Sequence, residues 1–542
     1  MKSRLLLNGA QAIIATLRAY NVETIFGIPG VHTLPLYDVI RDEPGLRHIL
    51  ARHEQGAGFM ADGYARASGR PGVVCTITGP GLTNVATPVA SAYSDSIPLL
   101  VISSSLPGAS AGRPRGRGAL HELKNQSGVM EALAGWTRSI ERVEEIPEAL
   151  HDAFRAMLQG RPRGSYLQVP LDLFTETAEV EIPEPLTIEP VPPSETALAG
   201  ATRLLRAARQ PLIVAGAGVT LAGANQRLAQ LAELLQAPVL LGSKSHDVLP
   251  TNHPLVIATS GYAITDELRS LLNQCDVALV IGSKLGAQRT NSGNLPLPSA
   301  LIHVDIDPTE IGYNYPASVG VVGDARLTIE ALLQALNDIS PDRPEILSEV
   351  AMVRSTLAQR TRRVYGEAMS LLDSVRESLP QKSIIVADMT MLGYASAQYL
   401  SVYEPRTYIH ASELCSIGCG LPMALGAKVA APDRPVVALC GDGGFLLNVG
   451  ELATAVQERI PVVTVIFNDA TYTAVKNSQQ RNFNGRYIAT DLQAPDYVAL
   501  AQAFGARGVR AEDPAALRDA IDTAIHQNKP TVIEVPLPPK QW

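Results

Sequence analysis

The sequence predicts an α/β protein made of three doubly wound parallel-sheet domains, and three observations carry that expectation. Short apolar runs alternate with helical patterns almost throughout; examples are "GVVCTIT" from Gly72, "PLIVAGAG" from Pro211, "VALVIGS" from Val277 and "PVVTVIFND" from Pro461. Runs this short, bounded by Gly, Pro or Asp, suit strands covered on both faces, as in parallel sheets. Two extended stretches rich in Pro and acidic residues, "EVEIPEPLTIEPVPPSE" (179–195) and "NDISPDRPEI" (337–346), divide the chain into blocks 1–178, 196–336 and 347–542. With 542 residues and 46% hydrophobic content, the chain can fill several cores at roughly 150–200 residues each.

Charge and composition exclude some partners. The 45 basic and 53 acidic residues leave a net charge of −8, spread along the chain, so nucleic acid is not an expected partner. An aromatic share of 5% offers little surface for stacking bases. The five cysteines (Cys75, Cys275, Cys415, Cys419 and Cys440) form no CxxC pair, which fits a reducing cytoplasm and argues against zinc. The amino terminus reads as an amphipathic helix without a small-residue cleavage site, and no apolar stretch reaches the ~18 residues of a membrane span.

In the third block, "PVVALC" and "PVVTVIF" are the expected strands and "VGELATAVQE" the helix between them. The first strand stops at Gly441-Asp442-Gly443-Gly444 and the second at Asn468-Asp469, so the two aspartates stand 27 positions apart. A right-handed crossover brings both to one sheet edge, where open parallel sheets bind their ligands. Gly441, Gly443 and Gly444 let backbone N–H groups approach an anion, and the next helix start favours negative charge. Carboxylates are hard ligands suited to Mg²⁺ or Ca²⁺ shared with phosphate oxygens. The stretch thus predicts a diphosphate held through a divalent metal; a plain strand-end turn with Asp as a helix cap is the simpler alternative. No GxxxxGK[ST] occurs, which excludes a P-loop.

These residues resemble the thiamine diphosphate motif of the acetolactate synthase and 2-oxo acid decarboxylase superfamily. The resemblance implies thiamine diphosphate and Mg²⁺ as cofactors, with metal ligands from the Asp442 and Asp469 side chains and the Thr471 carbonyl. Many relatives have Asn at the position of Asp469. It further implies that Gly441, Gly443, Gly444, Tyr472 and Thr473 surround the cofactor, and that Thr390 of "ADMTML" touches the diphosphate. In "ASELCSIGCGLPMALGAKVA" (411–430), Ile417 would be the apolar wedge beneath the cofactor. Cys415, where glycine is commoner, would offer its carbonyl to the aminopyrimidine.

In the first block, "RHEQGAGFMADGYAR" (52–66) and "GPGLTN" (79–84) resemble the same superfamily's glutamate motif. Glu54 would share a proton with the pyrimidine N1′, which activates the cofactor to attack a 2-oxo acid. Asn84 would pack near the pyrimidine, and Pro29 and Gly30 of "FGIPGVHTLPLYD" would contact the cofactor. His32 and His121 lie on loops where relatives place polar catalytic groups. In isolation, Glu54 would pass for a helix-start charge and Ile417 for ordinary core.

The resemblance spans nearly the whole chain, as pyrimidine-binding, central Rossmann-like and diphosphate-binding domains. It implies a homodimer or homotetramer with sites at the subunit interface, because the glutamate and the diphosphate site come from different subunits in relatives. "LHE" at 120–122 adds a likeness to guanidino-oxopentanoate decarboxylase. The middle block carries "VAGAGVTLAG" (214–223) and "LIHVDIDP" (301–308); this region would admit FAD, but FAD is not favoured, since Leu120-His121 replaces a usual Phe-Gln. Basic loops "GRPRGRG" (112–118) and "KNSQQRNFNGR" (476–486) would steer an anionic acid, or serve simply as solvated loops, and they count against a cationic guanidinium substrate. Ala474 and Ser478 stand where acetolactate synthases tend to have Met and Trp.

The expected function is thiamine diphosphate- and Mg-dependent decarboxylation of a small-molecule 2-oxo acid. The enamine would then be protonated to an aldehyde or ligated to a second carbonyl compound. The alternatives are an acetolactate synthase catalytic subunit and a non-catalytic nucleotide-binding relative. An FAD- or NAD-dependent oxidoreductase rests on the central GxG alone.

Overall fold

A computed structural model describes residues 4–107, 118–259 and 263–538. Three sheets of six parallel strands each form the frame, and an antiparallel ribbon of β1 (Leu5–Asn8) with β8 (Thr177–Val180) ties the chain start to the end of the first block. The first sheet holds β2 (Thr24–Gly27), β3 (Arg47–Leu50), β4 (Gly72–Thr76), β5 (Leu99–Ser105), β6 (Trp136–Ser139) and β7 (Gly164–Pro170), in the order β3-β2-β4-β5-β7-β6. The second holds β9 (Pro211–Ala215), β10 (Val239–Leu241), β11 (Val256–Ala258), β12 (Val277–Ile281), β13 (Ala300–Asp305) and β14 (Val319–Val322), in the order β11-β10-β9-β12-β13-β14. The third holds β15 (Ile384–Ala387), β16 (Tyr408–Ile409), β17 (Val436–Gly441), β18 (Val463–Asn468), β19 (Arg507–Arg510) and β20 (Thr531–Pro536), in the order β16-β15-β17-β18-β20-β19.

The first and third sheets repeat one strand order, whereas the middle one differs. Their order reverses between β2 and β4 and between β15 and β17, and ligand crevices open at such reversals, outside the carboxyl ends of the strands. The loops carrying His32, Thr78, Thr390 and Asp442 all leave from these four strands. Glu54 and Cys415 follow the neighbouring strands β3 and β16, so the two blocks deploy their functional loops in the same places.

Close helix packing joins these two blocks. Helix Glu54–Ser68 and helix Gly420–Ala430 belong to a single core cluster with the inner faces of both sheets, including Phe26, Val74, Ile384 and Ala438. A Cβ on Gly426 would stand 1.8 Å from the Met60 carbonyl oxygen, and one on Gly63 would stand 2.1 Å from that of Met423. Only glycine allows backbones this close, so the small residues of both helices are a packing requirement. The middle block has its own core, to which helix Ile346–Tyr365 contributes Ile346, Val350, Val353 and Leu357. No helix among the described residues is long and apolar enough to cross a membrane.

Candidate active site

At the third sheet, β17 ends on Gly441 beside Phe467 of β18, which brings the two strand-end aspartates together. Asp442 is 3% exposed, and its Oδ2 has no hydrogen-bond partner. Burial and the neighbouring Asp469 push its carboxyl up to about 6, against the opposing amides of Gly443 and Ala470. Burial also raises Asp469, although the Thr473 hydroxyl donates to its Oδ2. Ala470, which follows Asp469 and whose N–H faces the Asp442 carboxylate, adopts a left-handed backbone at φ 53°, a strained conformation of the kind stored at functional turns. A buried carboxylate with an orphaned oxygen, beside a half-buried one, fits a hard divalent cation. No group of three or more His, Cys, Asp or Glu side chains that could hold a metal occurs among the described residues. A cation held there would complete its shell with other oxygen donors.

The other expected cofactor residues gather around this turn. A Cβ on Gly443 would stand 2.5 Å from the Tyr472 ring, one on Gly444 would stand 3.3 Å from Ile417, and one on Gly441 would stand 3.2 Å from Thr390 Oγ1. Cys415 takes φ 55°, the backbone path that glycine takes without strain. One organiser of this loop escaped the sequence reading. Asp388, buried at the end of β15, accepts N–H bonds from Met389 at 2.7 Å, Gly418 at 3.0 Å and Gly420 at 3.2 Å. It thereby folds the segment carrying Ile417 onto the sheet edge. An aspartate ending a strand was the available signal, but two of its three N–H partners, Gly418 and Gly420, lie some thirty residues away.

At the first sheet, Glu54 opens its helix and is 8% exposed, and Asn84 Nδ2 donates to its Oε2 at 2.9 Å. Gly81 lets the glutamate lie against the 79–84 turn, since a Cβ there would stand 3.2 Å from Glu54 Oε1. Gly30, which follows Pro29, packs on Ile77, where a Cβ would meet a side-chain carbon at 2.3 Å. His32 and His121 meet edge to face with ring centroids 5.4 Å apart, and His121 takes φ 64°. Burial, followed by the nearness of His121, lowers the proton affinity of His32.

The two clusters are linked by Glu451, a second residue the sequence reading missed. It sits in the helix between the two strand-end aspartates, 1% exposed. Its carboxylate accepts the Arg52 N–H at 3.1 Å and the His53 N–H at 3.0 Å, and Thr454 Oγ1 at 2.7 Å. The third block therefore caps the helix on which Glu54 stands, from 399 residues along the chain. Glu451→Ala should leave those two N–H groups without an acceptor, at about 1–3 kcal/mol each. The expected result is amide exchange at Arg52 and His53 faster by about tenfold or more; unchanged exchange would remove Glu451 from this role.

One cation of the basic loops is already engaged. Residues 112–117 lie outside the described residues. Lys476 is paired with Asp491 and lies 5.4 Å over the Tyr487 ring. Ala474 and Ser478 lie on helix Thr473–Asn482, which follows the Asp469 turn. In the middle block, a cavity of about 400 Å³ opens at the β9–β12 reversal and is bordered by Gly216, Gly218, Gly242, Gly282 and Asp305. A Cβ on Gly216 would stand 2.0 Å from the Gly282 carbonyl oxygen, so the GxG is required by the approach of the two strand ends.

A glycine-flanked pair of carboxylates at one sheet edge and a buried glutamate at its topological twin fit the class that the family matches show: an enzyme that works through thiamine diphosphate. The N-terminal TPP binding domain, the central domain and the C-terminal TPP binding domain of thiamine pyrophosphate enzymes match residues 7–129, 198–332 and 388–535. A probable 2-ketoarginine decarboxylase of Pseudomonas aeruginosa is 36% identical over 99% of this chain and 95% of its own length. A probable acetolactate synthase large subunit of Methanococcus aeolicus is 32% identical over 98% of this chain and 92% of its own length. The acetolactate synthase isozyme 3 large subunit of Escherichia coli is 31% identical over 96% of this chain and 93% of its own length. The chain belongs to the thiamine diphosphate-dependent superfamily of acetolactate synthases and 2-oxo acid decarboxylases. Its cofactor is thiamine diphosphate, and it is a 2-oxo acid decarboxylase or carboligase.

Proposed function

We propose that the protein decarboxylates a small 2-oxo acid in a homodimer or homotetramer, at centres shared between two copies of the chain. In this reading residues 1–178 hold the pyrimidine and 347–542 the diphosphate, while 196–336 form the central unit. The observation that carries it is the Asp442–Asp469 pair, in which the buried Asp442 Oδ2 lacks a partner and calls for a divalent cation such as Mg²⁺.

Bound thiamine diphosphate supplies an electron sink for loss of CO₂. The chain's own residues do the rest. Asp442, Asp469 and the Thr471 carbonyl hold the metal, and Gly441, Gly443, Gly444, Thr390, Tyr472 and Thr473 line the diphosphate. Cys415, Ile417, Asn84, Pro29 and Gly30 hold and orient the rings. Glu54, steadied by Asn84, holds a proton against the pyrimidine N1′, and His32 and His121 face the reacting acid. Five free cysteines, four of them buried, support a reducing compartment such as the cytoplasm. The middle cavity is at the lower end of ligand-pocket sizes, roughly 300–1,000 Å³, and flavin remains the less favoured occupant.

The deciding experiment reconstitutes the protein with thiamine diphosphate and Mg²⁺ and offers pyruvate, branched, aromatic and guanidino 2-oxo acids, recording CO₂ and any ligated product. CO₂ with an aldehyde supports the decarboxylase, ligated pyruvate supports the acetolactate alternative, and no CO₂ from any acid refutes both. Metal binding requires the deprotonated carboxylates, and Asp442 is raised to about 6. Apparent Mg²⁺ affinity should therefore fall by up to about tenfold per pH unit below that value. A calorimetric titration with a flat profile between pH 5 and 7 would contradict the assignment.

A further inference from the structure

We propose that Thr78 and Ser104 are positioning residues that lock His32 as its neutral Nε2–H tautomer, so that it donates a hydrogen bond to the 2-oxo acid. The inference rests on the reading that His32 belongs to the active centre.

The three residues come from strands that lie side by side. His32 follows β2, Thr78 follows β4, and Ser104 lies within β5. His32 Nδ1 is 2.9 Å from Thr78 Oγ1, which is 2.9 Å from Ser104 Oγ. The Thr78 backbone N–H also donates to Ser104 Oγ at 2.9 Å.

That third bond sets the direction of the chain. A backbone N–H can only donate, so Ser104 Oγ accepts there and must place its own proton elsewhere. Thr78 is 1% exposed and Ser104 is fully buried. Among the described residues, the other partner of Ser104 Oγ is Thr78 Oγ1. Ser104 therefore donates to Thr78, Thr78 donates to His32 Nδ1, and that nitrogen carries no proton. Neutral His32 then holds its proton on Nε2, across the ring from the hydroxyls. Protonating Nδ1 would reverse both hydroxyls and strand the Ser104 proton in a dry site.

Burial acts in the same direction, as does His121, the titratable group whose ring faces His32 among the described residues. His32 so held is no base at its outward nitrogen. It offers an N–H to an oxygen of the bound acid, and its benefit grows as that oxygen gains charge.

Histidine C2-proton exchange, read by mass spectrometry on the full-length protein without cofactor, reports the proton affinity of His32 independently of turnover. Thr78→Val and Ser104→Ala should each raise the His32 pKa by about half a unit, roughly threefold in affinity. Thr78→Ser, which keeps the hydroxyl, should restore the original value. In the reconstituted enzyme, Thr78→Val should lower kcat about tenfold while KM moves little, the pattern of a lost transition-state contact. An unchanged His32 pKa in both the Val and Ala variants overturns the lock, whatever the activity. A raised pKa with kcat unchanged overturns the donor role of His32 and leaves the lock standing. If the unmodified enzyme turns over no 2-oxo acid, the functional reading falls, while the exchange data still decide the tautomer.

Discussion

Glu54→Gln is expected to reduce CO₂ release by about 10²–10⁴-fold, the range spanned by a positioned proton-transfer group, with cofactor affinity changed by less than about threefold. Asn84 Nδ2 donates to the Glu54 carboxylate, and a glutamine carbonyl accepts the same bond, so the substitution keeps the contact and removes only the ability to exchange a proton. Helix capping is untouched as well, because Glu451 accepts backbone N–H groups of Arg52 and His53 and not the Glu54 side chain. Steady-state CO₂ assays paired with thiamine diphosphate titration separate the two quantities. Turnover within tenfold of the unmodified enzyme would assign Glu54 a purely structural role.

Asp442→Ala should act in the opposite way, weakening Mg²⁺-dependent thiamine diphosphate binding by about a hundredfold or more, since even outer-shell partners are worth 10–100-fold in metal affinity. A companion variant, Asp442→Asn, exposes the electrostatics without cofactor. Asp442 is raised in the folded, metal-free protein from 3.8 to about 6. A raised carboxyl adds stability that is complete below its unfolded value, near 3.8, and is lost as pH rises through about 6. The Asn variant should therefore melt above the unmodified apoprotein at pH 8, with that advantage gone at pH 4; excess Mg²⁺ should invert the order at pH 8. Equal melting temperatures at both pH values would show that burial and the neighbouring Asp469 do not raise the Asp442 carboxyl.

The candidate site was legible in two ways. Asp442 and Asp469 could be read because each ends an apolar strand, and the crossover rule places both strand ends on one edge. Glu54 was legible through its motif, as were Asn84 and Ile417. Asp388, Glu451, Thr78 and Ser104 were not, since each acts through partners distant in sequence. Asp388 reaches Gly418 across 30 residues, Thr78 reaches Ser104 across 26, and Glu451 reaches Arg52 across 399. The glycines of 214–223 were legible, but the reason for Gly216 was not: the Gly282 carbonyl beside it leaves no room for a Cβ.

Alternation of apolar runs and strand-end chemistry are local properties, and from them the chain's α/β blocks and its carboxylate pair follow without coordinates, while the coenzyme came from the likeness of its motifs to a known family. Which backbone N–H a buried carboxylate satisfies, which way a hydroxyl chain points, and why a helix must be glycine where it crosses another are properties of packing. They arise when segments tens to hundreds of residues apart come within about 3 Å of one another, and no periodicity along the chain records that distance.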